Sequence, residues 1–287
     1  MGESQAMTAE PPSTTPDADA TYDRFAIAYR DWWGPVIAPA GVRVLDRLDG
    51  RLPLDRPLRL VDIGAGTGTV SLAALRRWPN LRVVAIDPAR RMLEFAAAAA
   101  RSDGLGDRLE TEVGEAGRLP IPDVSADAAM STFVLQLVAN RAAAVREAFR
   151  VLRPGGVFAI LTWRANEGPF EPTSAFEDAL DELDIDDPDL PAGAGHSYTS
   201  AAAAAAELRR AGFRSVRARE EWLEHRFTPG SYLEVLEHWV EDEVFAAQDE
   251  PMRQRLRDAV LRRLERLDPE ALLWRRPLVS VVGQRPG

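Results

Sequence analysis

The amino-acid sequence predicts an α/β fold with a doubly wound, mostly parallel sheet, because a strand, a glycine turn and a helix follow one another and a second strand comes next. A hydrophobic run that begins at Leu58 stops at an acidic residue and enters a turn with three glycines. Residues 69–78 after this turn can form a helix, and residues 82–87 form a second apolar run that also ends in an acid. The glycine turn has the sequence Asp62-Ile63-Gly64-Ala65-Gly66-Thr67-Gly68.

The spacing of the glycines indicates which ligand the turn would bind. A dinucleotide-binding turn places its third glycine three residues after the second, but here Gly68 comes one residue early and Thr69 stands in its place. Asp62 would also repel a pyrophosphate, whereas it suits a cationic ligand without phosphate. S-adenosylmethionine, with sulfonium and ammonium groups, fits this description. An NAD-dependent reductase is the weaker alternative, since a chain without lysine has no Tyr-x-x-x-Lys pair.

Five segments, in this order, resemble the class I S-adenosylmethionine-dependent methyltransferases. The glycine turn has that family's form acid-x-Gly-x-Gly-x-Gly, and the second strand ends at Asp87. Residues 113–123, 126–135 and 147–158 are similar to the family's later segments, the last through its Leu-x-Pro-Gly-Gly turn. The chain looks most like the small-molecule group related to the ubiquinone and menaquinone methyltransferases. This resemblance implies a Rossmann-like sheet of seven strands.

The resemblance also implies which residues hold S-adenosylmethionine, the methyl donor. Asp87 would accept hydrogen bonds from both ribose hydroxyls, Glu115 would contact the adenine, and residues 131–133 would line the site beside the methyl group. As a set, the cofactor-binding residues expected are Tyr22, Tyr29, Asp62, Gly64, Ala65, Gly66, Gly68, Asp87, Pro88, Met92, Gly114, Glu115, Ala116, Ser131, Thr132 and Phe133.

An aromatic, helical pattern over residues 21–48 predicts a cap above the donor site, interrupted at Pro35. Tyr22 and Tyr29 are seven residues apart and therefore share one helix face. Related enzymes use such aromatic residues to close over the methionine end of the donor. The alternative is a helix that only packs its aromatic face on the core.

The domain organisation predicted is a disordered tail over residues 1–20 and a methyltransferase domain over 21–287. The tail is rich in Pro, Thr, Ser and acidic residues and has no basic residue. Within the domain we expect an N-terminal cap over 21–57, a cofactor-binding core over 58–163, and acceptor-side elaborations with the last strands over 164–287.

Two more strands are expected on the acceptor side, at 213–222 and 277–282. Helical spacing over residues 228–274 places a helical insertion before the last strand. Together with the cap, this insertion would form a lid over the site.

A general base would assist transfer only to a poorly acidic acceptor. Of the three histidines, His196, His225 and His238, we expect His196 to be the catalytic base, because loops beyond the carboxyl ends of strands face the ligand crevice. A surface or core role is the alternative for each. The residues expected to bind a flat or apolar acceptor are Trp33, Trp163 and Trp239.

The composition of the chain limits which partners it can bind. The net charge of −10 and the pI of about 5.0 disfavour binding to nucleic acid. The absence of cysteine excludes disulfides, thiolate catalysis and Cys-based zinc sites, and no metal is expected. No apolar stretch is long enough to cross a bilayer, so we expect a cytoplasmic protein that does not bind membranes and is compatible with a homodimer.

The function expected is transfer of a methyl group from S-adenosylmethionine to O, N or C of a small, apolar or aromatic metabolite, leaving S-adenosylhomocysteine. The alternative is an enzyme of the same fold that binds the donor but catalyses a cyclisation or another rearrangement.

Overall fold

The computed structural model describes residues 26–165, 168–186 and 197–287. A sheet of seven strands has the order β3-β2-β1-β4-β5-β7-β6. Strands β1 to β5 run parallel, and β7 lies antiparallel between β5 and β6, which confirms the predicted fold. The strands are β1 (Leu58–Ile63), β2 (Leu81–Asp87), β3 (Leu109–Val113), β4 (Ala126–Thr132), β5 (Leu152–Trp163), β6 (Arg214–Arg226) and β7 (Leu273–Gln284).

Helices cover both faces of the sheet. Alternating strand residues enter two hydrophobic clusters: Leu58 and Leu60 of β1 belong to one, Val61 and Ile63 to the other. This alternation buries both faces, as a parallel sheet requires. The α-helices are α1 (Gly34–Gly41), α2 (Thr69–Arg77), α3 (Arg90–Ser102), α4 (Arg141–Val151), α5 (Glu171–Leu183), α6 (Ala201–Arg210), α7 (Pro229–Val235), α8 (Asp242–Ala246) and α9 (Glu250–Leu264).

The cap is helical without a break, and the expected interruption at Pro35 was wrong. Residues 26–28 lead into a π-helix, Tyr29–Trp33, which continues directly into α1 and then into a 3₁₀ helix, Val42–Arg47. Pro35 is the second residue of α1 and follows directly after the π-helix, whose wider turn accommodates a residue without an N–H. The N–H of Gly34 donates to the Tyr29 carbonyl and completes the wide turn before it.

The helical insertion before the last strand is present as expected. It contains α7, a second π-helix, Leu236–Val240, and then α8 and α9. Its flanking strands β6 and β7 are longer than the sequence indicates, because they pair with each other from Arg214 opposite Gln284 to Arg226 opposite Leu273. None of the helices in the described ranges has both the length and the apolar character needed to cross a bilayer.

Candidate active site

The glycine turn connects β1 to α2 at the carboxyl edge of the sheet. The N–H groups of Gly64 and Ala65 donate to the Ile86 carbonyl at 2.8 and 2.9 Å, which fastens the turn to the end of β2. Gly64, Gly66 and Gly68 have φ angles of 76°, 54° and 79°, a region that favours glycine.

The three glycines differ in what surrounds them. A Cβ on Gly64 would collide with the Val134 side chain, and one on Gly68 would lie 2.6 Å from the Ala96 Cβ. A Cβ on Gly66 would meet only the Tyr29 ring, at 3.9 Å. Gly64 and Gly68 are therefore required for packing within the protein, while the space beside Gly66 is open for a ligand.

Asp87 lies at the end of β2, beneath the glycine turn. Its Oδ2 accepts a hydrogen bond from the Gly66 N–H at 2.8 Å, and its Oδ1 accepts one from the Ala89 N–H at 3.0 Å. Each carboxylate oxygen can accept more than one hydrogen bond. The carboxylate therefore holds the glycine turn in place at the carboxyl edge of the sheet.

Asp62 is a buried carboxyl group with one unused oxygen. Its Oδ2 accepts a hydrogen bond from the Ser71 hydroxyl at 2.7 Å, whereas Oδ1 is buried and has no hydrogen-bond partner among the residues described. The pKa of Asp62 is raised to about 7, because burial raises it, the Ser71 hydrogen bond opposes this shift and the charge of Asp87 adds to it. A buried acceptor of this kind fits a cationic ligand.

Tyr29 of the first π-helix covers the glycine turn. Burial and then the charges of Asp87 and Asp62 raise the pKa of its phenol, so the hydroxyl stays protonated and can donate. Its ring packs edge to face on Trp239 at 5.6 Å between centroids. Met92 is buried in a small cluster beside Tyr29. The cap therefore closes over the side of the site where the two acids lie.

The segment after β3 lies next to Asp87. The Gly114 N–H donates to the Asp87 carbonyl at 3.2 Å, and the Arg118 N–H donates to the Glu115 carbonyl at 3.0 Å. Glu115 is exposed, and Ala116 is partly buried. This turn forms the rim of the site, together with the partly buried Pro88.

The end of β4 forms the next part of the edge. Ser131 is buried and its hydroxyl donates to the Ile63 carbonyl at 3.0 Å, while Thr132 is only partly buried. Phe133 has a φ of 55° although it is not glycine. Such left-handed backbone is strained for a bulky residue and is typical of functional sites.

The three tryptophans expected at the acceptor side belong to one aromatic cluster, which we define as Trp33, Trp163, Trp239, Trp274 and Phe133. Centroid distances are 6.2 Å for Trp33 to Trp239, 5.5 Å for Trp33 to Trp274, 5.9 Å for Trp163 to Trp274, and 4.5 Å for Phe133 to Trp163. The cluster thus links the cap, the insertion and the ends of β4 and β5.

Two of the expected residues, Tyr22 and the proposed base His196, lie outside the described residues, as does the predicted tail. Of the other histidines, His225 on β6 packs edge to face on Phe227 at 4.4 Å, and burial lowers its pKa. It is therefore a neutral packing residue.

His238 lies on the outer side of the insertion. It stacks on Trp32 at 4.9 Å, and its Nε2 lies 3.3 Å from the Glu234 carboxylate. Glu234, Glu237 and His238 bring potential ligand atoms within 4.8 Å of one another. Arg257, however, forms ion pairs with both glutamates, so an arginine already supplies the positive charge there.

Sequence reasoning missed three residues that shape the site. Ser71 holds Asp62, Val134 fills the space above Gly64, and Trp274 joins the other tryptophans. Ser71 could have been recognised in the sequence, because it is a polar residue on the buried face of α2. The other two are apolar residues whose roles follow only from tertiary contacts.

Part of the chain is similar to known methyltransferases. Residues 61–160 match the family model described as "Methyltransferase domain". This part of the chain therefore resembles the class I S-adenosylmethionine-dependent methyltransferases. It is 32% identical over 151 residues to 27-O-demethylrifamycin SV methyltransferase of Amycolatopsis mediterranei, an alignment that covers 48% of this chain and 55% of that protein.

A second relative comes from ubiquinone and menaquinone biosynthesis, as the sequence resemblance implies. The C-methyltransferase UbiE of Dinoroseobacter shibae is 35% identical over 111 residues, 39% of this chain and 44% of that protein. The chain therefore spans about half the length of these two relatives. Among solved structures, the 4+2 cyclase SpnF superimposes with a TM-score of 0.58 at 20% identity, over 96% of this chain and 98% of that one. At 20% sequence identity, this similarity shows a shared fold and nothing about function.

Proposed function

We propose that this methyltransferase moves a methyl group from S-adenosylmethionine to O, N or C of a small, apolar or aromatic metabolite. The observation that carries the proposal is the pair of acids around the glycine turn: Asp62 with its unused buried oxygen, and Asp87 with its carboxylate under Gly66. Both lie where the strands of an open α/β sheet end, which is the usual position of a ligand crevice.

Each group of the site has a role in this proposal. When bound, S-adenosylmethionine supplies an electrophilic methyl group on its sulfonium. Asp87 would accept hydrogen bonds from the ribose hydroxyls, and Asp62 would face the positively charged methionine end. Tyr29 would close over that end and exclude water. Holding the reactants in line in this way can supply on the order of 7 to 11 kcal/mol of the barrier.

The aromatic cluster supports an apolar or aromatic acceptor. Phe133 connects it to the end of β4, where the resemblance places the methyl group, and Trp33 and Trp239 extend it beneath the cap and the insertion. The names of the two relatives indicate an O-methylated and a C-methylated product class for those proteins. We therefore propose the class of acceptor and leave its reacting atom to experiment.

A second candidate function uses the same donor site without methyl transfer. The fold similarity to a 4+2 cyclase over almost the whole chain is compatible with an enzyme that uses the bound sulfonium only as a fixed charge. Cyclisation or rearrangement of an apolar substrate would then proceed with no consumption of S-adenosylmethionine.

One assay separates these functions. The full chain is incubated with S-adenosylmethionine and a panel of small aromatic and apolar acceptors, and S-adenosylhomocysteine and products are measured together. Methyl transfer predicts equal amounts of S-adenosylhomocysteine and methylated product. Product formation without S-adenosylhomocysteine would favour the second candidate. Competition with NAD is the control, and donor binding that NAD displaces would contradict the proposed site.

A further inference from the structure

Ser71 fixes the orientation of the Asp62 carboxyl. It lies in the first turn of α2, is fully buried, and donates its hydroxyl hydrogen to Oδ2 at 2.7 Å. Asp62 itself is 1% exposed. With Oδ2 engaged by the serine, the buried and unpartnered Oδ1 is the oxygen left for a ligand.

The groups around Asp62 do not neutralise a negative charge. The charge of Asp87 from β2 raises the pKa of Asp62, and the charge of Asp62 raises the pKa of Tyr29 in the cap. In the neighbouring strand β4 the titratable residue is Asp127, near the opposite end of that strand. Helix α2 carries its arginines in the last turn, away from Ser71. Within the described ranges, therefore, a second acid and a phenol face Asp62, and no cation does.

A buried carboxylate without a cation is unfavourable, so the group is neutralised by a proton or by a positively charged ligand. Burial raises the pKa of Asp62 to about 7, which is consistent with a proton on Asp62 in the donor-free chain near neutral pH. A cationic ligand that reaches Oδ1 would favour the ionised form and lower this pKa again.

We propose that donor binding is a proton exchange at Asp62 and that Ser71 is a positioning residue, which holds Oδ2 and leaves Oδ1 for the donor. The Asp62 carboxyl holds a proton in the donor-free chain, and the cationic methionine end of the donor takes the place of that proton, which leaves for solvent. The charge of the pocket is thereby unchanged. This inference rests on the proposed donor site and adds its dependence on pH.

The pH dependence follows from linkage. Below about pH 7, binding must release the Asp62 proton, so donor affinity falls roughly tenfold for each unit of decreasing pH. Above that pH the carboxyl is already ionised, and its contribution to proton release vanishes. An α-amino group titrates at about 7.7 to 8.0, so the donor's own ammonium stays charged over the lower range.

The test is titration calorimetry of the full chain with S-adenosylmethionine at pH 6 and pH 8, each in two buffers with different heats of ionisation. For the wild type we expect release of about one proton at pH 6. Asp62→Asn is expected to remove this release and to give an affinity that changes little with pH. The same proton release in the wild type and in Asp62→Asn would overturn the proposal.

The role of Ser71 is tested by a matched pair of variants. Ser71→Thr keeps the hydroxyl. Ser71→Val has the same shape as the threonine variant but no hydroxyl. Loss of the hydrogen bond to the ionised form raises the carboxyl pKa, so Ser71→Val is expected to move the affinity profile to higher pH and Ser71→Thr to restore it. Identical profiles for Thr and Val would show that Ser71 only packs.

The experiment distinguishes failure of the proposed donor site from failure of the proposed proton exchange. A wild-type chain that does not bind S-adenosylmethionine at either pH overturns the donor site and this inference with it. Binding of equal affinity at pH 6 and pH 8, without proton release at pH 6, would leave the donor site intact and overturn the proton exchange alone. A melting curve for each variant confirms that it is folded before titration.

Discussion

The donor side and the acceptor side of this site are built in different ways. On the donor side, the glycine turn, Ser71 and Asp87 lie within one βαβ unit and are joined by backbone and carboxylate hydrogen bonds. On the acceptor side, aromatic rings from Trp33 to Trp274 come together across most of the chain. The donor side therefore depends on backbone conformation and charge, and the acceptor side depends on long-range packing.

This difference predicts that single substitutions can affect the two sides separately. The largest effect is expected for Gly66→Val, which fills the one open position of the glycine turn and is strained at a φ of 54°. We expect loss of measurable S-adenosylmethionine binding in calorimetry. A melting curve confirms that Gly66→Val is folded, whereas Gly64→Val clashes with Val134 and should not fold. Retained donor binding in Gly66→Val would contradict the assignment of the space beside this glycine.

The second prediction concerns the stability of the donor side. The pKa of Asp62 is about 7 in the folded chain, whereas that of an unfolded aspartate is about 3.9. The contribution of Asp62 to stability therefore falls as pH rises through this window and is constant above it. Donor-free Asp62→Asn should be more stable than the wild type at pH 8, by up to roughly 4 kcal/mol, and similar at pH 4.

Urea unfolding of both chains at the two pH values measures this difference. Saturating S-adenosylmethionine should stabilise the wild type more than Asp62→Asn. An Asp62→Asn variant that is less stable than the wild type at pH 8 without donor would contradict the conclusion that ionised Asp62 destabilises the donor-free fold.

The acceptor side is tested by Trp163→Leu. This change removes ring contacts with Phe133 and Trp274, and each aromatic pair contributes about 0.5 to 1.5 kcal/mol beyond area burial. We expect lower stability and lower turnover of the acceptor, with the S-adenosylmethionine dissociation constant unchanged. Thermal melting and calorimetry are the measurements. A loss of donor affinity as large as the loss of turnover would show that the two sides are coupled.

The smallest effect is expected for His238→Ala. His238 stacks on Trp32 and pairs with Glu234 through side chains that are 41% and 32% exposed, and such exposed pairs contribute up to about 1 kcal/mol. Turnover should be unchanged at every pH. A bell-shaped pH profile that loses its acidic limb in this variant would identify His238 as a catalytic base.

Much of the donor side could be predicted from sequence because its signals are local. Three glycines between a strand and a helix, and an acid at the end of the next strand, determine where Gly66 and Asp87 meet. The sequence also indicated the helical insertion and the last two strands, although it underestimated their length because strand ends follow from pairing between β6 and β7.

The acceptor side was predicted only in part. The aromatic character of Trp33, Trp163 and Trp239 was visible, but the role of Trp274 depends on the register of β7 and on the fold of the insertion. The interruption expected at Pro35 was wrong, because a π-helix just before it accommodates the proline. Tertiary packing decides such features, and sequence periodicity does not record it.

The most direct test of the donor site is calorimetric titration of S-adenosylmethionine into the wild type and into Asp87→Ala. We predict one donor molecule per chain for the wild type, and affinity weakened by about 1 to 3 kcal/mol when the carboxylate is removed. Asp87→Asn should give an intermediate loss, since it keeps one oxygen acceptor. No binding by the wild type, or equal affinity in all three chains, would contradict the donor site.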